Sequence, residues 1–355
     1  MILNIFNKKT QKRRKSRKKP KPKKKTIKVN KVVSSRSNKK NKVNHAPKGV
    51  KKLIVKKVMS DEEIESKEGT YFDESHYKKH YGVIDYDCDC YYLDDNNNEV
   101  LLIKFRKNVI PENLCKIGME NLEKAAMKYH DNRGASAGIL DLKKLPKYAN
   151  DPKRIVSKTK FRIAGYYSKD TGKFVNNSIG NVSQSNIIGY FDRRDRNLGK
   201  GAPPCRTTAF TSQQANKWKK VIPLIRSINK QFRELIPDRY RIQYKRAHET
   251  PFVIKDTAFS TLTINYNWRT ALHKDSGDLQ DGFGNLVVLE KGNYKGGCTG
   301  FPQFGVCVDV RQGDFLGMDV HEWHCNTKLS GKDYTRLSLV SYLREKMADC
   351  KGLKL

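Results

Sequence analysis

The last hundred residues constrain the fold most, because their texture allows few ways of closing a core. Thr261-Leu262-Thr263-Ile264-Asn265-Tyr266-Asn267-Trp268 is apolar at even positions, the period of a strand with one buried face. Further short apolar runs follow at Asn285–Glu290, Gly305–Val310, Phe315–Val320 and Leu337–Leu343, separated by Gly- and Asp-rich turns. Strands at this regular spacing, with no crossover helices between them, predict an antiparallel double-sheet roll or barrel. The fold class is therefore α+β, mainly β.

Helical periodicity lies upstream. Leu114, Ile117, Leu122, Ala125 and Ala126 recur at helical spacing between Pro111 and Tyr129. A second helix runs from about Ser212 to Leu235, with Trp218, Val221, Ile225, Ile228 and Phe232 on one stripe, and stops before Pro237. Trp218 and Phe232 read as core. A hairpin precedes both helices: Val83–Tyr92, a turn at Asp94–Asn98, and a return at Val100–Phe105. Residues 131–215, rich in Gly, Asn, Ser and basic side chains, read as loops and short strands.

Residues 1–60 hold 24 Lys or Arg and no carboxylate; Asp61 is the first acid. Of the net charge of +35, residues 61–355 carry +11. Such a segment lacks the apolar surface that would offset its ordering entropy, so a disordered arm is expected. Three divisions follow: the arm over 1–60, an N-terminal part of the body over 61–250, and the strand-rich core over 251–355. The densest charge, around Lys12, Arg13, Arg14 and Lys15, is suited to phosphates through counterion release, or to a nuclear address. The acidic stretch 61–98 is placed to neutralise part of the arm.

Other classes are excluded by simple counts. No run of 18 apolar residues exists to span a membrane, and the arm lacks the interleaved large apolar residues of a membrane-surface segment. Met1–Phe6 is short for a signal-peptide core. The eight cysteines contain no C-x-x-C pair, which favours reduced thiols in an intracellular protein over a disulfide framework. Cys88 and Cys90 are expected on one face of a strand.

Three features in order carry chemistry. His273-Lys274-Asp275 places an imidazole and a carboxylate at i, i+2. Gly313-Asp314-Phe315-Leu316 leads to His321-Glu322-Trp323-His324. Arg336-Leu337-Ser338 lies on the last strand. Two histidines and one carboxylate with three open positions form the facial triad of non-haem Fe(II) oxygenases. An arginine behind it suits a dicarboxylic co-substrate, since its planar fork binds a carboxylate bidentately. On a regular strand His324 shares the inner face of Leu316, Met318 and Val320 while His321 points outward; a bulge near Glu322 would reverse this. Arg336, Ser338 and Val340 share an inner face. Tyr266 and Trp268 share the parity of Leu262 and Ile264, which favours core packing. Cys325 reads as a small buried thiol, and His45, His76, His80, His130 and His248 have no metal-spaced partner.

The stretch Thr261–Tyr342 resembles the core of 2-oxoglutarate/Fe(II) dioxygenases, and within them the TET/JBP group that oxidises the 5-methyl group of thymine or 5-methylcytosine in DNA. Thr270–Asp275, Gly282–Leu286, Tyr294–Gly297 before Phe301-Pro302, Gly313-Asp314, His324–Thr327 and Arg336–Leu339 carry the resemblance. Cys205–Thr211 resembles phage and large-DNA-virus members. The resemblance implies a double-stranded β-helix, a jelly-roll of the cupin type with supporting N-terminal helices. It implies Fe(II) on His273, Asp275 and His324, 2-oxoglutarate held by Arg336 with help from Ser338, O2 as oxidant, and succinate and CO2 as co-products. The substrate would be a flipped or single-stranded base, because a stacked base cannot reach the iron. Arg133, Arg193, Arg194, Arg196 and Arg206 then become candidate DNA contacts. A nuclear, viral-factory or virion location and no obligate protein partner are expected. Two alternatives remain: a prolyl- or lysyl-type hydroxylase of protein side chains, and a non-enzymatic basic DNA-binding or virion protein. No Cys-rich targeting module is evident.

Overall fold

Leu286-Val287-Val288-Leu289 is apolar at four successive positions, a pattern that suits a strand buried on both faces. The computed structural model, which describes residues 49–193 and 202–353, shows this. Leu286 and Val288 enter one apolar layer, and Val287 and Leu289 enter another.

The strands in chain order begin with β1 (Lys51–Val55), β2 (Gly82–Ile84), β3 (Cys88–Leu93) and β4 (Glu99–Arg106). Next come β5 (Tyr129–His130), β6 (Ile155–Thr159), β7 (Arg162–Tyr167), β8 (Phe174–Val175) and β9 (Ser183–Asp192). Then follow β10 (Cys205–Thr207), β11 (Thr261–Tyr266), β12 (Gly284–Lys295) and β13 (Thr299–Phe301). The series ends with β14 (Val306–Val308), β15 (Phe315–Met318), β16 (Cys325–Asn326) and β17 (Ser330–Tyr342). A large sheet is ordered β1-β3-β4-β15-β12-β17-β11-β9-β10, with β5 beside β9. A smaller one is ordered β16-β13-β14-β2, and a three-stranded sheet β6-β7-β8 stands apart from both. The result is a sheet-rich α+β fold.

The two faces of the large sheet are covered differently. On one side lie the helices Glu112–Ala126 and Ala215–Leu235. Their buried Met119, Leu122, Val221, Ile225, Ile228 and Phe232 pack against Leu262, Ile264, Val287, Leu337 and Leu339. On the other side the small sheet contributes Phe301, Val306, Val308 and Ile84 to a layer with Leu286, Val288, Leu316 and Met318. No helix among the described residues is long and apolar enough to cross a membrane.

Several expectations need correction. Residues 49–60, assigned to the arm, lie in the body: β1 pairs in parallel with β3, and Val55 is fully buried. Their charge masked a short strand that is exposed at Lys51 and Lys52 and buried at Val55. The run Val83–Tyr92 is two strands in two different sheets, with β2 on the small sheet and β3 on the large one. Within the stretch expected to hold loops and short strands, β9 is ten residues long and pairs with β11 along five of them, although Ser183, Gln184, Ser185 and Asn186 are polar. The large sheet thus takes strands from both sides of residue 250. Cys205 and Cys350 form a disulfide, against the expectation of reduced thiols, because the fold brings two residues 145 apart together beside Met347. Cys88 and Cys90 do share the buried face of β3.

Candidate active site

The site begins where β11 stops. Asn267 adopts a left-handed conformation (φ 45°), and its side chain is fixed at both ends. Its Nδ2 donates to the Tyr334 carbonyl (3.1 Å), and its Oδ1 accepts from the Arg336 backbone N–H (2.6 Å). The left-handed residue breaks strand parity, so Trp268 does not follow Leu262 and Ile264 into the core; it lines a cavity instead. Beyond it, Asn326 N–H donates to the Thr270 carbonyl (3.0 Å) and the Thr270 hydroxyl donates to Asn326 Oδ1 (2.7 Å). His273 and His324 then exchange backbone hydrogen bonds, each of 3.0 Å. The Asp275 N–H donates to the Val320 carbonyl (3.0 Å).

This ladder brings His273, Asp275 and His324 together, with one potential ligand atom from each lying within 4.8 Å of the others. Asp275 Oδ1 is 3.6 Å from His273 Nε2, and its Oδ2 is 3.7 Å from His324 Nε2. Each imidazole is oriented by a carbonyl two residues before it: His273 Nδ1 donates to Ala271 (2.8 Å) and His324 Nδ1 to Glu322 (2.9 Å). With Nδ1 carrying the proton, Nε2 presents its lone pair to the shared centre. Burial pushes the His324 pKa down to about 4, and His273 adds to the effect. His324 is thus neutral, as a metal ligand must be.

His321 lies elsewhere. β15 ends at Met318, and a turn follows in which His321 Nε2 meets the Leu279 carbonyl (3.0 Å) and its N–H donates to Asp319 Oδ1 (3.0 Å). The structure thus brings His324, not His321, beside His273 and Asp275, and no regular strand runs from Val320 to His324.

Arg336 is 1 % exposed, a buried cation on a central strand. Its Nη2 donates to the Gly297 carbonyl (3.0 Å), while its Nε has no partner. A buried N–H without an acceptor is costly, so an unpaired guanidinium N–H here has the character of a waiting anion site. Gly297 (φ +74°) makes room: a Cβ there would lie 3.1 Å from Arg336 Nε and 2.6 Å from Leu329. Ser338 and Val340, on the same face of β17, line a cavity of about 630 Å3 together with the triad. The Ser338 hydroxyl accepts from Asn265 Nδ2 (3.3 Å).

Arg133, proposed from sequence as a DNA contact, stands in the wall of this cavity, its Nε donating to Ser185 Oγ (2.8 Å). Arg206 extends from β10 with its guanidinium 6.0 Å from the Phe191 ring. Lys12, Arg13, Arg14, Lys15, Arg194 and Arg196 lie outside the described residues. Sequence reading missed Arg344, which is tied to Asp192 (2.9 Å) and Asp278 (3.4 Å) and packs on Gly277, bracing the loop after Asp275. Asp278 is buried, and its carboxyl is pushed up, first by burial and then by Asp275.

Residues 186–345 match the family model Tet_JBP, described as the oxygenase domain of the 2OGFeDO superfamily. Thymine dioxygenase JBP1 of Trypanosoma brucei brucei is 32 % identical over 234 residues, covering 62 % of this chain and 25 % of that protein. Thymine dioxygenase JBP1 of Leishmania major is 32 % identical over 227 residues, with 62 % and 26 % covered. The chain thus spans about a quarter of the length of these curated relatives. Among solved structures, NgTET1 in complex with 5mC DNA aligns at a TM-score of 0.44 and 12 % identity, covering 83 % of this chain and 93 % of that one.

Proposed function

We infer that this chain, with a Tet_JBP oxygenase domain over residues 186–345, is an Fe(II)- and 2-oxoglutarate-dependent dioxygenase that hydroxylates the 5-methyl group of a DNA base. The observation that carries this reading is the convergence of His273, Asp275 and His324 within 4.8 Å, in one cavity with Ser338, which is two residues along the strand from the buried Arg336, whose Nε has no hydrogen-bond partner. The donor set fits Fe(II): two imidazoles and one carboxylate are the ligand types of a facial triad. In this reading the two packed sheets are the walls of a double-stranded β-helix.

Fe(II) with bound 2-oxoglutarate and O2 supplies the oxidising chemistry, releasing succinate and CO2. The chain's part is placement. His273, Asp275 and His324 hold the metal, each imidazole locked by its carbonyl partner. Arg336 receives the distal carboxylate of 2-oxoglutarate, which gives Nε its missing acceptor, and Ser338 adds a hydroxyl beside it. Leu286, Met318 and Val340 line the apolar side of the cavity and exclude water. Trp268 and Arg133 also line the cavity and in this reading meet the flipped or single-stranded base.

The names of the relatives favour thymine over 5-methylcytosine as the base. The arm's charge supports DNA as the polymer and is compatible with a nucleus, viral factory or virion as the setting. The test is nucleoside mass spectrometry after incubation with Fe(II), 2-oxoglutarate and thymine- or 5-methylcytosine-containing DNA, with His324→Ala as control. A hydroxymethyl nucleoside made by the wild type alone supports the reading; its absence on all DNA, with succinate formed on peptides instead, overturns it.

A further inference from the structure

The sheet β6-β7-β8 contributes no strand to either larger sheet and buries one face on a small cluster of its own, formed by Leu145, Ala149, Ile163 and Ile179. Its other face is left uncovered by the described residues. Val156 lies opposite Gly165, and Tyr167 opposite Phe174, all on that outer side. Val156, Tyr167 and Phe174 are 37 %, 47 % and 46 % exposed. A Cβ on Gly165 would stand 2.2 Å from the Val175 carbonyl oxygen and 2.7 Å from the Phe174 ring, so the ring lies close over the glycine. The Tyr167 and Phe174 rings meet edge to face at 5.6 Å. Exposed aromatics arranged this way form a platform rather than scattered surface residues.

The platform is framed by cations. Residues 141–175 include 10 Lys or Arg against 3 Asp and no Glu. Lys144, Lys160 and Arg162 are ion-paired, to Asp141, Glu68 and Asp131. Lys153, Lys158, Lys169 and Lys173 are exposed and make no ion pair among the described residues. The sheet is also anchored to the cavity. Its tight turn carries Phe161, which lines the cavity, and Arg162 donates to the Asp131 carbonyl, two residues before Arg133.

We propose that the outer face of this sheet is the surface that holds DNA beside the target base, with Tyr167 and Phe174 stacking on bases and Lys153, Lys158, Lys169 and Lys173 contacting phosphates. This deepens the proposed function and rests on it. Charge complementarity selects a polyanion, and the aromatic platform selects one that offers flat rings, which single-stranded nucleic acid does.

Two variants of the full chain test it: K153E/K158E/K169E/K173E, and Y167S/F174S. Fluorescence anisotropy with single-stranded oligonucleotides across a salt series reads the effect, and melting temperature confirms folding. The charge variant should bind more than tenfold more weakly at about 100 mM salt, with a log–log salt slope shallower by about 3. The aromatic variant should lose about fivefold or more without a change in slope. Affinity and slope within twofold of wild type in both variants overturn the proposal. So does loss of binding to phosphatidylserine/phosphatidylcholine vesicles with DNA binding intact, which would make the face a membrane surface. Unaltered DNA binding by variants of a protein that does modify DNA removes this surface and leaves the function standing. Weakened binding by variants of a protein that modifies no DNA base removes the function and keeps the surface.

Discussion

His273 and His324 face each other across a short antiparallel bridge, each backbone N–H donating to the other's carbonyl at 3.0 Å. The two imidazole rings consequently sit 4.3 Å apart, and both Nε2 atoms turn to the carboxylate of Asp275. Pairing of main chain, rather than side-chain packing alone, fixes the spacing of these two proposed ligands.

It follows that the two histidines of the His321-Glu322-Trp323-His324 stretch behave differently. His324→Ala should abolish stoichiometric iron binding and DNA-independent succinate formation. His321→Ala should keep both and lose about 1 kcal/mol of stability, the worth of its hydrogen bond to the Leu279 carbonyl. Iron content by atomic absorption, with thermal melts, checks the pair.

Arg336→Lys keeps the charge and loses the fork. The apparent KM for 2-oxoglutarate should rise about tenfold, equivalent to about 1.4 kcal/mol, with iron content unchanged. Gly297→Ala should move the same parameter in the same direction, because its Cβ would crowd Arg336 Nε and Leu329 Cδ2. An unaltered KM in both would show that another residue anchors the co-substrate.

The chemistry of the site was more legible in the sequence than its surroundings. His273 and Asp275 are two residues apart, as are Arg336 and Ser338, and such local patterns survive any uncertainty about strand pairing. β9 was hidden because Ser183 and Ser185 are buried by tertiary contacts, with Ser185 accepting from Arg133, and polar side chains give no periodic signal. Trp268 was misplaced because nothing in Asn267 announces a left-handed turn beyond the residue's general tolerance of one. Arg344 was missed because its partners, Asp192 and Asp278, are distant in sequence.

The Cys205–Cys350 bond ties β10 to the chain's last described turn. Reduction, or Cys350→Ser, should lower stability by about 2–4 kcal/mol. In calorimetry with and without dithiothreitol this is a melting shift of several degrees. The other described cysteines are buried, and burial pushes Cys325 and Cys88 up to about 11. Cys88 and Cys325 should resist alkylation at pH 8 until the protein is unfolded.

Residues 1–48 hold 20 of the 24 basic residues that precede Asp61. A chain beginning at residue 49 should bind DNA more weakly and with a flatter salt dependence, yet melt at the same temperature. A chain beginning at residue 61 should lose roughly 3 kcal/mol or more. That cut removes the fully buried Val55, the 7 % exposed Met59 and the Ser60 hydroxyl that caps the Asp61–Ser66 helix. Parallel melts of the two truncations distinguish the boundaries.

β1 closes one border of the large sheet, and a border strand invites association with another chain through its unpaired backbone. Here that border begins with exposed Lys51 and Lys52 and runs into Lys56 and Lys57. A second molecule adding strand to strand would bring one such row of ammonium groups against another. The small sheet is guarded by brevity instead, its border strands β2 and β16 being three and two residues long. Charge at one border and brevity at the others are thus two different means by which the described strands limit strand-to-strand addition.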